Sequence, residues 1–316
     1  MSEFTSIDLS QLSAPSVVEV LSYDTILEEM KTALAVELGT REWDMPSEPI
    51  VKLLEISAYR ELIIRQRVNE AAKQTMLAYA SGTTLDHEVA RFGVERLDGE
   101  TDEQLRFRGQ LALEGFSTAG PEGAYIFHAL SASSFVKGVS IEAPKFGYAD
   151  LSAELQAQLA PDVIVLKVLD DVGLVDPQPG NVAVNLLSRD GNGVASTDLV
   201  NVVDSHLEHE DVRPVTDIPV VRSVEILEYQ IDADLYFYDG PDKTVVLAEA
   251  ISAVQSYVSE QHQNGKSIEI SAIYASLHRT GVKRVDLRSP VAPIECTKRQ
   301  AAYCTAINIA DGDANE

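Results

Sequence analysis

The chain has 316 residues, 45% hydrophobic and 24% charged, a composition typical of a folded globular protein and not of a disordered one. Its 50 acidic and 25 basic residues give a net charge of −25, which repels nucleic-acid phosphates and anionic membranes and therefore argues against nucleic acid or membrane as a partner. The length exceeds that at which one hydrophobic core usually stops growing, so two or three subdomains are expected.

The cysteines and the N-terminus give no sign of export. Cys296 and Cys304 lack the CxxC spacing, so neither a disulfide scaffold nor a cysteine metal site is indicated. The first residues, MSEFTSIDLS, have no basic region followed by an apolar core, and no apolar stretch approaches the ~20 residues that a membrane helix needs. These features predict a soluble cytosolic chain.

Two amphipathic helices are predicted in the first third of the chain. In SYDTILEEMKTALAVEL the apolar residues recur at steps of three and four. A longer run spans about 49–80, with Ser47 as a candidate cap, Pro49 in the first turn and Gly82 as the stop. A helix of that length reaches ~45 Å and is too long for one small domain to cover. It is either a core helix or a bundle element shared with partner chains.

Shorter helices follow. TTLDHEVARFG ends at Gly93, and TDEQLRFRGQLALEGF begins with a capping box formed by Thr101 and Gln104. STAGPEGAY at 117–125 is rich in small residues, but no strand precedes it and it matches no phosphate-binding motif. Its Gly120-Pro121 pair instead predicts the entry to a helix that continues through AYIFHAL.

From about residue 135 the pattern changes to strands. SFVKGVSIEAP, DVIVLKVLDD and GNVAVNLLSRDGNGV are short, rich in valine and isoleucine and bounded by turn residues; in the third, Val182, Val184 and Leu186 alternate with polar or small neighbours. STDLVNVVDSHLEHED predicts a helix, and Pro214 and Pro219 act as breakers after it. The clearest alternation is EILEYQIDADLYFYDG, and then come two helices and the strand VKRVDLRSP.

The predicted fold is α+β, with an N-terminal long-helix region followed by two small mixed α/β subdomains. The expected boundaries are 1–94 for a helical arm, 95–215 for a central α+β domain and 216–316 for a C-terminal α+β domain.

No motif predicts catalysis, a metal or a cofactor. NGKS at 264–267 lacks the first Walker glycine, and HLEHED has His206, His209 and Glu210 in an order that does not match HExxH. DADLYFYDG has Asp232, Asp234 and Asp239, but a tyrosine stands at the third calcium-ligand position, inside an evident strand. Acidic residues are abundant, yet no carboxylate pair stands out for glycoside hydrolysis.

Four segments together resemble the Baseplate J-like family, the baseplate wedge proteins of contractile phage tails, tailocins and related injection particles. They cover about 50–294, and the similarity is strongest to the P2-like branch. The segments are TTLDHEVARFGVERLDGETDEQLRFR, STAGPEGAYIFHALSASSFVKGVSI, VRPVTDIPVVRSVEILEYQIDADLYFY and LHRTGVKRVDLRSPVAP. The chain departs from the family at Ser133-Ser134, where an Asp-containing turn is expected, and the tail after Pro293 matches nothing in it.

The resemblance implies a non-enzymatic structural role in a virion or tailocin baseplate that is assembled in the bacterial cytoplasm. Two copies would join a protein I-like wedge partner in a helical bundle, six wedges would surround the central hub and spike, and a sheath initiator with a lysozyme-like fold would dock nearby. The protein would then build the ring around the hub and transmit the trigger for sheath contraction. No cofactor is implied.

Candidate residues follow from this resemblance and from the patterns above. Leu54, Ala58, Leu62 and Val68 are the candidate bundle interface; the candidate hinges are Gly82, Gly120, Pro121 and Pro214. The candidate self-association residues of the C-terminal region are Ile231, Leu235, Phe237 and Val285. The alternatives are a particle-borne cell-wall hydrolase and a receptor-binding tail appendage.

Overall fold

A computed structural model describes residues 18–39, 48–116, 120–160, 162–238 and 242–312, with Gly240 and positions 7, 9, 12, 13 and 15. Two compact units are formed. Unit 1 comprises the chain up to Arg96 with Glu100–Ala112, and unit 2 comprises Leu97–Gly99 with the chain from Leu113 onward. A helical region precedes the strand-containing region, so the predicted α+β class is confirmed. Ser47, residues 117–119 and Asp239, which figured in the sequence patterns, lie outside the described residues.

The predicted N-terminal helices are present: α1 Tyr23–Leu38, α2 Pro49–Gln74, α3 Gly82–Ala90 and α4 Asp102–Gly115. The predicted capping box of α4 is confirmed. The Gln104 amide donates to Thr101 Oγ1 (3.4 Å), and the Thr101 amide donates to Gln104 Oε1 (3.1 Å).

The end of α2 differs from the prediction. The helix has 26 residues, about 39 Å at the usual rise, and stops at Gln74 instead of continuing to about 80. The Thr75 hydroxyl donates to the Ala72 carbonyl (2.8 Å), and Gln74 Oε1 accepts the Ser81 amide (3.0 Å). These local bonds close a turn, so Gly82 begins α3 and does not terminate α2.

Part of the core of unit 1 lies where α3 and α4 approach each other. Leu85 and Val89 of α3 and Leu105 and Leu111 of α4 are fully buried. Gly109 allows the close approach, because a Cβ there would lie 2.6 Å from Val89 Cγ1.

Unit 2 contains three sheets and their covering helices, in the order α5 Glu122–Ala132, β1 Val136–Glu142, β2 Lys145–Tyr148, α6 Ala153–Gln156, β3 Leu166–Asp170, β4 Asn181–Ser188, α7 Thr197–Leu207, β5 Ile218–Ser223, β6 Glu225–Phe237, α8 Lys243–Gln261, α9 Ile270–Leu277, β7 Val282–Ser289 and β8 Gln300–Asp311. Pro121 is the N-cap residue of α5, one position outside the first turn where it was expected. Ser196 caps α7, its Oγ accepting the Leu199 amide at 3.2 Å.

The first sheet has the order β1-β4-β5, with β4 antiparallel to β1 and parallel to β5. The strand predicted for this segment is present as β4, and both faces of this central strand are buried. Leu187 packs on Val224 and Ala301, on the side that joins this sheet to the rest of the unit. Pro219 was expected to break the chain, yet it lies in β5, where an edge strand tolerates its missing N–H.

The third sheet has the order β7-β6-β8 and carries the largest described core. The alternation of β6 is confirmed: Ile231, Ala233, Leu235 and Phe237 are buried beneath α8 and α9. Strand β8 was not predicted. The tail after Pro293 contains it, and it pairs in parallel with β6 over its whole length, with one irregularity after Cys304. Strands β2 and β3 form a separate two-stranded sheet.

Candidate protein-interaction surfaces

Helix α2 has two apolar faces. Val51 and Ala58 are buried on the inner face, which packs with α1. The opposite side, here called the outer face, carries Leu53, Ile56, Ile63 and Ile64, of which 50–64% is exposed, with the exposed Arg60 and Arg67 between them. At 100° per residue these four positions lie within about 100° of one another and are centred opposite Val51. Four large aliphatic side chains in water on one stripe are typical of a surface that another helix covers.

The residues predicted for a bundle interface lie mostly on the other side. Ala58 is fully buried and Leu54 and Leu62 are half-buried on the inner face, whereas Val68 is 62% exposed. Hydrophobic periodicity identified an amphipathic helix but did not distinguish the face that its own unit covers from the face that remains open. Their role in a bundle stays a prediction.

An extended segment before α1 is held against α2 by Asn69. This buried side chain accepts the Glu19 amide (3.0 Å) and donates to the Glu19 carbonyl (2.9 Å). The Tyr79 hydroxyl similarly donates to the Leu12 carbonyl (3.0 Å). Sequence reasoning missed Asn69, because a polar residue within a helical stripe carries no signal of the backbone that it binds.

Three candidate hinge residues come together in unit 2. Gly120 has φ +64°, and a Cβ there would lie 3.0 Å from Pro214 Cγ and 2.9 Å from Asp217 Oδ2. The neighbouring Tyr125 hydroxyl donates to the same Asp217 oxygen (2.8 Å), and burial, reinforced by this carboxylate, raises the pKa of Tyr125. Pro121 follows directly in the chain. The segment before α5 thus meets the turn that begins at Pro214.

Gly82, the remaining candidate hinge, lies in unit 1 and is tied to α4. Its amide donates to Asp102 Oδ2 (2.9 Å), and Arg96 Nη2 donates to the other oxygen of that carboxylate (2.7 Å). The Gly82 hydrogen bond, with support from Arg96, lowers the pKa of Asp102. The hinge role of all four residues stays a prediction.

Three of the four self-association candidates are buried in the core of unit 2. Ile231, Leu235 and Phe237 are buried under the helices, and Val285 is half-buried. A surface between copies in this region therefore depends on the edges of the sheet and not on these side chains. Self-association itself stays a prediction.

The two edges of the β7-β6-β8 sheet differ in charge. Strand β7 exposes Lys283, Arg284, Asp286 and Arg288, the charged pattern with which natural edge strands resist pairing. Strand β8, with the sequence QAAYCTAINIAD, has no lysine or arginine and carries its only acidic residue at the end. Its isoleucines and threonine were a usable strand signal, but the segment fell outside the recognised resemblance.

Polar side chains of unit 2 form a buried structural cluster. Asn185 is fully buried, and its Oδ1 accepts a hydrogen bond from Arg222 Nε (2.7 Å). Asn264 Nδ2 donates to the Asn185 carbonyl (2.9 Å) and to Ser140 Oγ (3.2 Å). Asn264 belongs to the NGKS segment, which therefore takes part in a packing contact between the first and third sheets.

The other chemical candidates are also placed. Helix α7 ends at Leu207, so Glu210 lies outside the helix that carries His206. Arg288 pairs with Asp232 (2.6 Å) and Asp234 (2.9 Å) on the exposed side of β6. Within the described ranges, no group of three His, Cys, Asp or Glu side chains is arranged to hold a metal ion, and no helix is long and apolar enough to span a membrane.

Comparison with known proteins connects these surfaces with one family. The Baseplate J-like N-terminal domain matches residues 46–98, which include α2, and the Baseplate J-like protein C-terminal domain matches residues 229–310, which include β7 and most of β6 and β8. The second match extends past Pro293, so the tail that matched nothing in the sequence analysis lies within the family. The chain is 40% identical to Baseplate protein J of Escherichia phage P2, over 98% of this chain and 99% of that protein.

Proposed function

This chain belongs to the Baseplate J-like family, and from that membership we propose that it is a structural baseplate protein, part of the wedge of a contractile tail or injection particle. In this role it builds the ring around the hub and transmits the trigger for sheath contraction. Its partners are a second copy of itself, a protein I-like wedge protein, a lysozyme-like-fold sheath initiator and the central hub.

The outer face of α2 is the observation that carries this proposal. Fully burying an isoleucine or leucine is worth roughly 1.5–3 kcal/mol, and this face leaves four such residues largely in water. A bundle with helices of partner chains covers the stripe, since α2 is about seven turns long and its inner face is already occupied.

The edge of β8 supports contact between copies. Strand β8 has no basic residues, in contrast to the charged edge strand β7. The Gln300 carbonyl already accepts the Gly265 amide and the Ala302 carbonyl lies 2.8 Å from His262 Nδ1, so the part of the edge that a second copy can pair with lies after Ala302. One copy can pair with a second copy through the edge of β8 while its α2 joins a helical bundle. The chain therefore has the two separate interfaces that a ring requires.

Substitution on the outer face tests the wedge role. We expect Ile56→Lys with Ile63→Lys to weaken co-purification with the wedge partner about a hundredfold or more, because two buried aliphatic side chains become charged. Ala33→Lys with Gln158→Lys adds the same charge at exposed positions and is the matched control. Equal recovery of both double variants in purified particles contradicts the bundle role of α2.

Transmission of the trigger is tested by particle maps in two states. If Gly82, Gly120, Pro121 and Pro214 act as hinges, copies from extended and contracted particles differ by rotations at these positions. Copies that superpose as one rigid body contradict this part of the proposal. Clearing of cell walls by the purified protein, lost on mutation of one carboxylate, would favour the hydrolase alternative.

A further inference from the structure

A pocket on unit 2 lies where the end of α5, the turn after β4 and the first turns of α7 meet. It encloses about 320 Å³. The apolar lining residues, here called the floor, are Phe135, Val194, Leu199 and Val202; the polar and acidic lining residues, here called the rim, are Ser133, Ser188, Ser196, Asp190 and Asp198.

The floor exposes apolar surface that the chain itself does not cover. Phe135, Val194 and Val202 are each about half exposed, and only Leu199 is buried. Single exposed apolar residues are ordinary, but three that share one concave surface are typical of an interaction site.

The walls are fixed in advance by internal hydrogen bonds. The Asp190 amide donates to Ser188 Oγ (3.1 Å) and the Ser188 amide donates to the Gly193 carbonyl (2.8 Å). Gly193 has φ +100°, and a Cβ there would lie 2.5 Å from Leu187 Cδ1, so this tight turn requires glycine. Opposite it, the Phe135 amide donates to Ser133 Oγ (3.3 Å). Such a surface loses little conformational entropy when a ligand binds.

The rim is negative. Asp190 and Asp198 are exposed, and none of the nine lining residues is basic. Arg189, the nearest cation in sequence, directs its Nε to the Ser134 carbonyl (2.9 Å). The amino end of α7 does not turn the rim into an anion site, because Ser196 caps it and Asp198 lies in its first turn.

We propose that this pocket binds an arginine on an otherwise apolar segment of another protein of the particle. The aliphatic stem packs on Val202 and Phe135, and the guanidinium pairs with the Asp190 and Asp198 carboxylates. Arginine suits the site better than lysine, since its planar group is weakly hydrated and stacks on aromatic rings. The inference rests on the proposed function for the source of the partner.

Photocrosslinking in intact particles tests the proposal. Val202 is replaced by p-benzoylphenylalanine in the full chain, purified particles are illuminated, and the crosslinked peptides are sequenced by mass spectrometry. We expect an arginine-containing peptide from a different particle protein. Adding Asp190→Lys and Asp198→Lys should lower its yield roughly tenfold through like-charge repulsion. The same photoreactive residue at Val245, which is 65% exposed on α8, is the control that charge reversal should not affect.

Each outcome decides between the proposals. A peptide without arginine, a crosslink to a second copy of this chain, or a yield insensitive to charge reversal overturns the pocket assignment. Asp190→Asn with Asp198→Asn gives a milder several-fold loss and serves if the lysine variant does not fold. If the chain is present in particles but does not crosslink, only the pocket fails. If the chain is absent from particles, the wedge role fails and the proposed partner with it.

Discussion

Arg108 and Glu100 form a buried ion pair in unit 1, with only 6% and 2% of their side chains exposed. Arg108 Nε lies 2.6 Å from Glu100 Oε1, Nη2 lies 2.8 Å from Oε2, and Nη2 also donates to the Glu95 carbonyl. The pair joins α4 to the loop before it. Such residues read as ordinary surface charges in the sequence, and only packing shows that they are enclosed.

We predict that Arg108→Ala lowers the free energy of unfolding by about 3–5 kcal/mol, because it leaves the Glu100 carboxylate buried without its main partner. Arg91→Ala is the matched control, since Arg91 pairs with Glu88 on the surface and should change stability by about 1 kcal/mol or less. Denaturant unfolding of the two variants measures the difference. Equal losses of unfolding free energy would show that the buried pair contributes no more to stability than the Arg91–Glu88 pair.

His128 and His206 lie together between α5 and α7, with ring centroids 5.8 Å apart. Burial lowers the pKa of both, and for His128 the neighbouring His206 lowers it further. A histidine whose pKa falls on folding stabilises the fold fully above its unfolded pKa near 6.5. That contribution is lost as the pH falls below this value, because the unfolded chain binds protons that the folded chain does not.

We therefore predict that unit 2 loses stability as the pH falls below about 6.5 and that His128→Gln with His206→Gln reduces this loss. Thermal melting at several pH values measures how the melting temperature of the wild type and of the double variant depends on pH. His87→Gln, on α3 of unit 1, is the control substitution. A double variant with the wild-type pH slope would contradict the role of this histidine pair.

Individual elements of unit 2 differ in how far the rest of the unit shields them from solvent. Strand β6 lies between two neighbours and under two helices, whereas every residue of β3 is exposed and pairs with one four-residue strand. The two-stranded sheet exposes Tyr148, Leu166 and Val168, and isolated two-stranded sheets are marginally stable in water.

We expect amides of β3 to exchange with solvent at least roughly a hundredfold faster than those of β6 in the isolated protein, because local opening of β3 breaks few buried contacts. Hydrogen–deuterium exchange read by mass spectrometry compares the two strands within one sample. Protection of β3 equal to that of β6 would show that the small sheet is stabilised by contacts beyond its own ladder.

At the scale of the whole molecule, the net charge of −25 opposes contact between identical copies. Salt screens this repulsion within about 10 Å at 0.1 M. Apolar burial at the outer face of α2 and backbone pairing at the edge of β8 depend little on this screening. A higher ionic strength therefore favours contacts between identical copies, whose repulsion it screens, and weakens contacts with basic partners, whose attraction it screens.

We predict that self-association of the purified chain strengthens when the salt concentration rises from about 0.02 to 0.3 M, because repulsion is screened while apolar burial remains. Sedimentation velocity at a fixed protein concentration measures the change. Dimers that dissociate at high salt would instead show that ion pairs, and not the apolar surfaces, hold the copies together.

The sequence by itself determined the α+β class, the helices of the first third, the capping box of α4 and the alternation of β6. These features depend on local periodicity and on neighbours three or four residues away, so the order of residues is sufficient to encode them. The family could also be predicted from the sequence, because several segments, each with only a weak resemblance to the family, occur in the family's order.

Only the tertiary structure decided which side of each element stays in water. Ala58 and Ile63 are both apolar residues of α2, yet one is buried by its own unit and the other is open. The strand in the tail is identified by its pairing with β6. The buried roles of Asn185 and Arg108 are likewise identified by the groups that enclose these side chains. Burial depends on contacts between residues far apart in the chain, and these contacts arise only when the elements pack.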